Sequence, residues 1–416
     1  MKSGSIIIHP TRNELGIVSH YAPHALGHGV RVALESGLID TIYTELAEVT
    51  EFTPEITKRL VNFIPTRPFA ASDKSYGLTG TDPEIFGFDP SGNVIPAWLW
   101  LADKKTNPDY YYDGVQAEFV TAPSTCHNYQ TDYIRNKLLQ VDKALKSHNP
   151  KAYLATRDVV KLDRKLLLSA DDKYIELGCS PSGNAYPEVK PIDIGDPREH
   201  PWRYSGCHLH MSVLDYALPE WFPHGTVVMM DKIVGVMLTA LGRGLEDPKR
   251  REAYGRAGEF RVPPPAPANR PGWGEYFKDK VWSRLEYRTP GSFLLHHPAL
   301  FNFAMDVARV AFRMGLLMDG RKLDEIGDVQ GIINNCDADA ANKLIQASGS
   351  YYRKVLNNVS PSYYTSGKTL SILSQGAKAS GRFGDSLYTN WNLGGFWNND
   401  NYNNGSTKWT HFGDGQ

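Results

Sequence analysis

The stretch SRLEYRTPGSFLLHHPALFNF, Ser283 to Phe303, begins by alternating charge with apolar bulk. In a β-strand successive side chains point to opposite faces, so Arg284, Glu286 and Arg288 share one face and Leu285 and Tyr287 the other. A carboxylate between two guanidiniums is either a structural ion-pair ladder or a device that holds a metal beside phosphate oxygens. Taken alone, the triplet reads as the ladder. The reading shifts because the period-two device recurs. GCHLHMS puts His208 and His210 on one face, GTDPEIF brackets Pro83 with Asp82 and Glu84, and DGVQAEF sets Gln116 and Glu118 against Val115, Ala117 and Phe119. Four such strands predict a sheet with helices packed behind it and a polar cleft in front. Carboxylates and imidazoles sharing a cleft repel or lose partners unless cations sit among them, so a metal site is the economical expectation.

At 416 residues the chain can form two or three domains, or one large core with appendages. Lys and Arg number 45 against 46 Asp and Glu, a formal charge of -1. No global field recruits nucleic acid or an anionic membrane, and an anionic substrate must be met by local arginines. Cys126, Cys179, Cys207 and Cys336 are scattered and too few for a disulfide scaffold, which makes a reducing cytoplasm the simpler reading. The opening MKSGSIIIHPTRNELG has only three consecutive aliphatic residues and no signal-peptide core. Thr226 to Leu245 is apolar but carries Asp231 and Lys232 well inside, which predicts a buried helix and not a membrane span.

Residues 1–75 read as a small parallel α/β unit: strand SIIIH, a helix through HALGHGVRVALES, strand TIYTEL and helix PEITKRLVNF. Its His9, His20, His24 and His28 fit no single helical face, so a loop or surface role is expected. Residues 76–375 form the main domain. There Thr131 to Asn149 places Ile134, Leu138, Val141 and Leu145 on one stripe, as a helix covering a sheet should. The segment after Arg288 continues as a long core helix. Residues 376–416, rich in Asn, Gly and aromatics without periodicity, read as loop or disorder. Aromatics at that density could still dock on the body or on a neighbouring subunit, which leaves a homo-oligomer open.

Aspartate and glutamate oxygens suit Mg2+ or Mn2+, and Mn2+ also accepts imidazole. RREAYGRAGEFR supplies Arg250, Arg251, Arg256 and Arg261, guanidiniums suited to phosphate. No P-loop, GxGxxG or GxSxG motif appears. GCSPSGNAY, Gly178 to Tyr186 after an expected strand KYIEL, either positions a substrate through Ser182 and Asn184 or merely turns the chain. The loop PPPAPANRPGWGEYF, near Trp273, is a candidate cover or an inert connection.

With GTDPEIFGFDPSGNVIPA, YYYDGVQAEF, LGCSPSGNAYPE, SGCHLHMS, RREAYGRAGEFR and SRLEYRTPGSFLLHHPAL in this order, the chain resembles the phage-type COOH·NH2 ligases, the type-2 amidoligase branch of the glutamine synthetase and glutamate-cysteine ligase superfamily. The match runs from about Gly80 to Leu300. It implies an α+β fold, a curved antiparallel sheet with helices on its outer face, and ATP-dependent amide formation between small-molecule or peptide carboxylate and amine substrates. By the resemblance, Glu84, Glu118, His208 and Glu286 hold Mg2+ or Mn2+, with Asp82 a weaker ligand. His210 and Arg251 fall on the nucleotide side, while Arg288 and Arg261 face the phosphates and join Glu286 in catalysis. Two other readings stay open: a metal-dependent hydrolase built on the HxH and carboxylate cluster, and a non-catalytic binding or structural protein on the same fold.

Overall fold

The computed structural model describes residues 6–24, 27–34, 39–43, 48–50, 76–121, 127–175, 182–190, 192–214, 218–263, 266–267, 281–323, 326–357, 386–391 and 393. The first five strands are β1 (Ile6–Ile8), β2 (Leu15–His24), β3 (Gly27–Leu34), β4 (Ile39–Tyr43) and β5 (Glu48–Thr50). They form one antiparallel sheet in the order β4-β3-β2-β1-β5. This corrects the expected parallel α/β unit: within the segment read as a helix through HALGHGVRVALES, Gly27–Leu34 is strand β3, paired antiparallel with β2 and β4. Val30, Val32 and Leu34 alternate there with Gly29, Arg31 and Ala33, a period of two, and each glycine costs a helix about 1 kcal/mol relative to alanine. Val32 and Leu34 are fully buried with Ile7 and Ile42. The expected helix PEITKRLVNF lies outside the described residues.

The main sheet uses β6 (Tyr76–Phe88), β7 (Val94–Ile95), β8 (Tyr111–Asp113), β9 (Gln116–Glu118), β10 (Tyr153–Ala155), β12 (Gly183–Asn184), β14 (Cys207–Leu214), β15 (Glu259–Arg261), β16 (Ala266–Pro267) and β17 (Val281–Tyr287). Strands β11 (Val159–Lys161) and β13 (Trp202–Tyr204) pair separately. The main order is β12-β15-β17-β14-β6-β9-β8, with β16 on β17 and β7 and β10 on β6, every pair antiparallel. The α+β class and the antiparallel sheet are therefore as expected. One local expectation fails: the expected strand KYIEL begins as a helical turn, Asp172–Ile175.

Period-two alternation sends Leu209, Met211, Leu285, Tyr287, Ile85, Ala117 and Phe119 to the back of the sheet, all fully buried. Three helices complete that core: α1 (His127–His148), α2 (His224–Leu241) and α3 (Pro298–Leu317). The stripe Ile134, Leu138, Val141 and Leu145 of α1 has no solvent exposure. Helix α2 is the one among the described residues long and apolar enough to cross a membrane, and 94% of it is buried in protein. Its two interior ionisable side chains each bond within the protein. Asp231 Oδ1 accepts from Tyr287 Oη at 2.6 Å, and Lys232 Nζ donates to the carbonyls of Gly320 and Leu323 at 3.0 and 3.1 Å.

Part of the tail read as loop is packed. Ser386 bridges Ala155, Leu387–Asn390 make a helical turn, and Trp391 is wholly buried against Phe301. Its Nε1 donates to Leu295 O at 2.6 Å. A single indole can bury a large apolar area without periodicity, which is why pattern reading passes over it. Trp391→Ala should lower the free energy of unfolding by about 3–5 kcal/mol in urea titrations. A loss below about 1 kcal/mol would show the segment to be undocked in solution.

Candidate active site

Cross-strand register assembles the polar faces into one patch. His210 on β14 lies opposite Glu286 on β17, and Arg261 on β15 also lies opposite Glu286. His208 faces Asp82 on β6, Glu84 faces Glu118 on β9, and Glu118 faces Tyr111 on β8. Pairs directly opposite in antiparallel strands have Cβ atoms about 5 Å apart, so the register alone nearly fixes the contacts.

Glu286 is 1% exposed and sits between two guanidiniums. Arg261 donates to Oε2 from Nε at 2.7 Å, with Nη2 at 2.6 Å, while Arg288 Nε lies 3.3 Å from Oε1. His208 Nδ1 is 3.1 Å from Asp82 Oδ1 and 3.7 Å from Glu286 Oε1. His210 Nε2 is 3.0 Å from Asp82 Oδ2 and 4.0 Å from Glu286 Oε2. Despite these distances, Asp82 Oδ1, His210 Nε2 and Glu286 Oε1 are buried without an aligned hydrogen bond. One ligand atom from each of Asp82, His210 and Glu286 lies within 4.8 Å of the other two, a donor set that suits Mg2+ and, with its imidazole, Mn2+. His210, expected on the nucleotide side, thus joins the candidate metal trio, and His208 flanks it.

The second pair of carboxylates is held by donors. Glu84 Oε2 accepts from Gly206 N at 2.6 Å and from Tyr254 Oη at 2.9 Å, and Tyr111 Oη donates to Glu118 Oε1 at 2.6 Å. Gly206 has to be glycine, since a Cβ there would lie 2.5 Å from His208 Nε2. Burial, then the charges of Glu118, Asp113 and Asp82, push the Glu84 carboxyl well above the usual range. Burial with Asp82 and Asp113 raises Glu118 to about 7. Asp82 goes the other way: burial opposes its charge, but the imidazoles of His210 and His208 hold it well below the usual range. Tyr111, Asp113 and Tyr254 escaped the sequence reading. Tyr111 and Asp113 were legible from the two-residue turn of the β8-β9 hairpin, whereas no pattern marks Tyr254. The ring of Tyr254 stands edge-on to His208 at 5.8 Å and beneath the Arg288 guanidinium at 5.7 Å, linking the acidic and basic walls.

The arginine-rich segment contributes less to the cleft than its composition suggests. Arg251, expected at the nucleotide, is 6% exposed, with its guanidinium on the carbonyls of Gly255 and Thr289 and paired with Glu246. Arg250 donates to Ser205 O, Thr289 O, Arg288 O and Pro290 O at 2.7–3.2 Å. Arg256 pairs with Glu259 and Lys190 O. Left-handed Gly255, whose Cβ would lie 2.1 Å from Arg250 Nη1, folds the segment back on these side chains. Of the four, Arg261 alone reaches the acidic cluster through a side-chain pair among the described residues.

No protein-family model matches the sequence, and neither does any curated protein. Among solved structures, the complex of the prokaryotic ubiquitin-like protein Pup with its ligase PafA aligns at 11% identity and a TM-score of 0.37, over 74% of this chain and 63% of that one. A bifunctional glutathione synthetase from Pasteurella multocida aligns at 10% identity and a TM-score of 0.33, over 82% and 53%. The chain therefore spans less than two thirds of the length of either neighbour. Both likenesses are distant.

Glu84 and Glu118, like buried Asp158 and Asp231 at about 7, keep protons in the folded state that the unfolded chain has released. A raised carboxyl pKa contributes stability that is full below the unfolded value and is lost as pH rises through the folded one. The metal-free protein should therefore melt at lower temperature at pH 8 than at pH 5.5. Mg2+ or Mn2+ should restore more at pH 8, where Glu118, raised to about 7, has lost the proton that competes with an ion for its oxygens. Differential scanning calorimetry in EDTA and in metal checks both, and a metal response of equal size at the two pH values would count against Glu118 as a ligand.

Proposed function

We propose that the chain is an ATP-dependent carboxylate–amine ligase that works with Mg2+ or Mn2+ through an acyl phosphate, as its resemblance to the type-2 amidoligases implies. The observation that carries this reading is Glu286 held between Arg261 and Arg288, with Asp82 and His210 converging on the same space. Carboxylates with flanking guanidiniums are what a polyphosphate and its divalent ion require.

Asp82, His210 and Glu286 would hold the ion, which would supply positive charge against that of the phosphate oxygens. Glu84 and Glu118 offer further carboxylate oxygens on the adjoining strands. A substrate carboxylate oxygen attacks the γ-phosphorus, the bond to the bridging oxygen of ADP breaks, and an acyl phosphate forms. Arg288 and Arg261 stabilise the charge that spreads over the transferred group. An amine then attacks the acyl carbon, phosphate leaves, and the nitrogen loses a proton to give the amide. The inward, water-poor position of Glu286 and Arg288 fits an intermediate that water would destroy.

Release of ADP should require a divalent ion, a carboxylate and an amine together. Glu286→Gln, which keeps the shape and removes the charge, should lower that rate by about a hundredfold or more, as should Arg288→Ala. A screen of amino acids and short peptides read out as ADP formation checks this, and undiminished turnover by Glu286→Gln would sink the assignment.

A further inference from the structure

The segment GCSPSGNAY, which sequence alone leaves as either a turn or a substrate contact, is pinned at its second half. Gly183 on β12 pairs with Phe260 on β15, Ala185 N donates to Gly258 O at 2.9 Å, and Asn184 Nδ2 donates to Ala257 O at 2.9 Å. Asn184 Oδ1 in turn accepts from Tyr186 N at 2.8 Å. The partner backbone is equally constrained: Gly258 is left-handed at φ 79°, and a Cβ there would lie 2.5 Å from Asn184 Oδ1 and from the Tyr186 ring. Asn184 is thereby used up as a structural brace. The residue it delivers is Ser182, whose Oγ accepts from Arg288 Nη1 at 2.8 Å.

This bond has a direction. Arginine only donates, so the serine oxygen is the acceptor and its own proton remains to be given away. Among the described residues that hydroxyl has no acceptor of its own, and Ser182 is partly exposed while Arg288 is 2% exposed. A neutral donor carried on a charged one, at the solvent side of a buried guanidinium, is the arrangement that recognises a tetrahedral oxyanion.

We infer that Ser182 and Arg288 form an anion-binding corner, in which the Ser182 hydroxyl donates to an oxygen of a phosphoryl group that Arg288 also holds. It rests on reading the cleft as a phosphoryl site and adds a residue that faces the ligand from outside the HxH and carboxylate strands. Ser182 then contacts the ligand directly and also fixes the rotamer of Arg288.

Calorimetric titration of wild type, Ser182→Ala and Ser182→Thr with orthophosphate, and separately with a non-hydrolysable ATP analogue and Mg2+, tests this. Ser182→Ala should weaken orthophosphate about tenfold, the size expected for a hydrogen bond to a charged group, and Ser182→Thr should restore it. Thermal melts of the variants identify any loss of fold, and in that event Ser182→Thr, which keeps the hydroxyl, carries the comparison. Orthophosphate binding that depends on Ser182 without nucleotide binding upholds the corner and sinks the ligase reading. Nucleotide binding with Ser182→Ala and wild type alike overturns the corner and leaves the ligase reading standing. Binding of neither ligand by wild type overturns both.

Discussion

A carboxylate removed from water must be compensated, and the burial of Glu286 between Arg261 and Arg288 is the constraint around which the sheet is arranged. Arg261 arrives from β15, so β15 has to pair with β17 in the register that sets the two residues opposite one another. Arg288 follows the last residue of β17 and turns back onto the same carboxylate. With both guanidiniums fixed, His210 on the other flank of β17 faces Glu286, and β14 brings His208 to Asp82. A shift of one residue in any of these pairings would turn the whole polar set toward the helices.

The reverse side of the same strand carries an equivalent tie. Tyr287, between Glu286 and Arg288, points to the core and donates to Asp231 of α2. Asp231 opens a π-helical turn, Asp231–Gly235, inside the otherwise α-helical α2. At Gly235 a Cβ would lie 2.4 Å from Ile333 Cδ1 and 2.9 Å from Tyr287 Oη, so a larger residue would push the helix off the sheet. The carboxyl of Asp231, raised to about 7 chiefly by burial, is one the core tolerates because Tyr287 donates to it. Front and back of the SRLEYR strand are thus each locked by one acidic residue, Glu286 to its guanidiniums and Asp231 to a phenol.

What the sequence made legible is what a period of two can encode. Asp82, Glu84, Gln116, Glu118, His208, His210 and Glu286 all sit on the strands read for them, and the apolar alternates all face the core. Pairing order and register are not local properties, so the trio Asp82, His210 and Glu286 could not be separated beforehand from Glu84 and Glu118. Arg250 and Arg251 bond to backbone carbonyls for a reason equally hidden from local pattern. A guanidinium suits a phosphate and a cluster of backbone carbonyls equally well, and only the left-handed turn at Gly255 decides between them. The stretch from Gly27 to Leu34 contains apolar residues compatible with either period, and its glycines favour the strand that it forms. Trp391 acts as one isolated side chain, which no periodicity describes.

Reassigning Arg250, Arg251 and Arg256 to the framework also changes the case between phosphoryl chemistry and hydrolysis by a metal-bound water. A crowd of arginines around the cleft no longer argues for phosphate, since Arg261 and Arg288 are the two that pair with its carboxylates among the described residues. A guanidinium on a metal-binding carboxylate draws electron density from it and repels a bare dication, which is a poor arrangement for holding an ion whose whole task is to activate water. On the proposed reading, an ion that arrives with phosphate oxygens attached would meet no such penalty, because the same guanidiniums would then gain anionic partners. The pairing of Glu286 with both arginines therefore leaves Glu84 and Glu118, which hold no arginine among the described residues, as the carboxylates that a bare ion would meet.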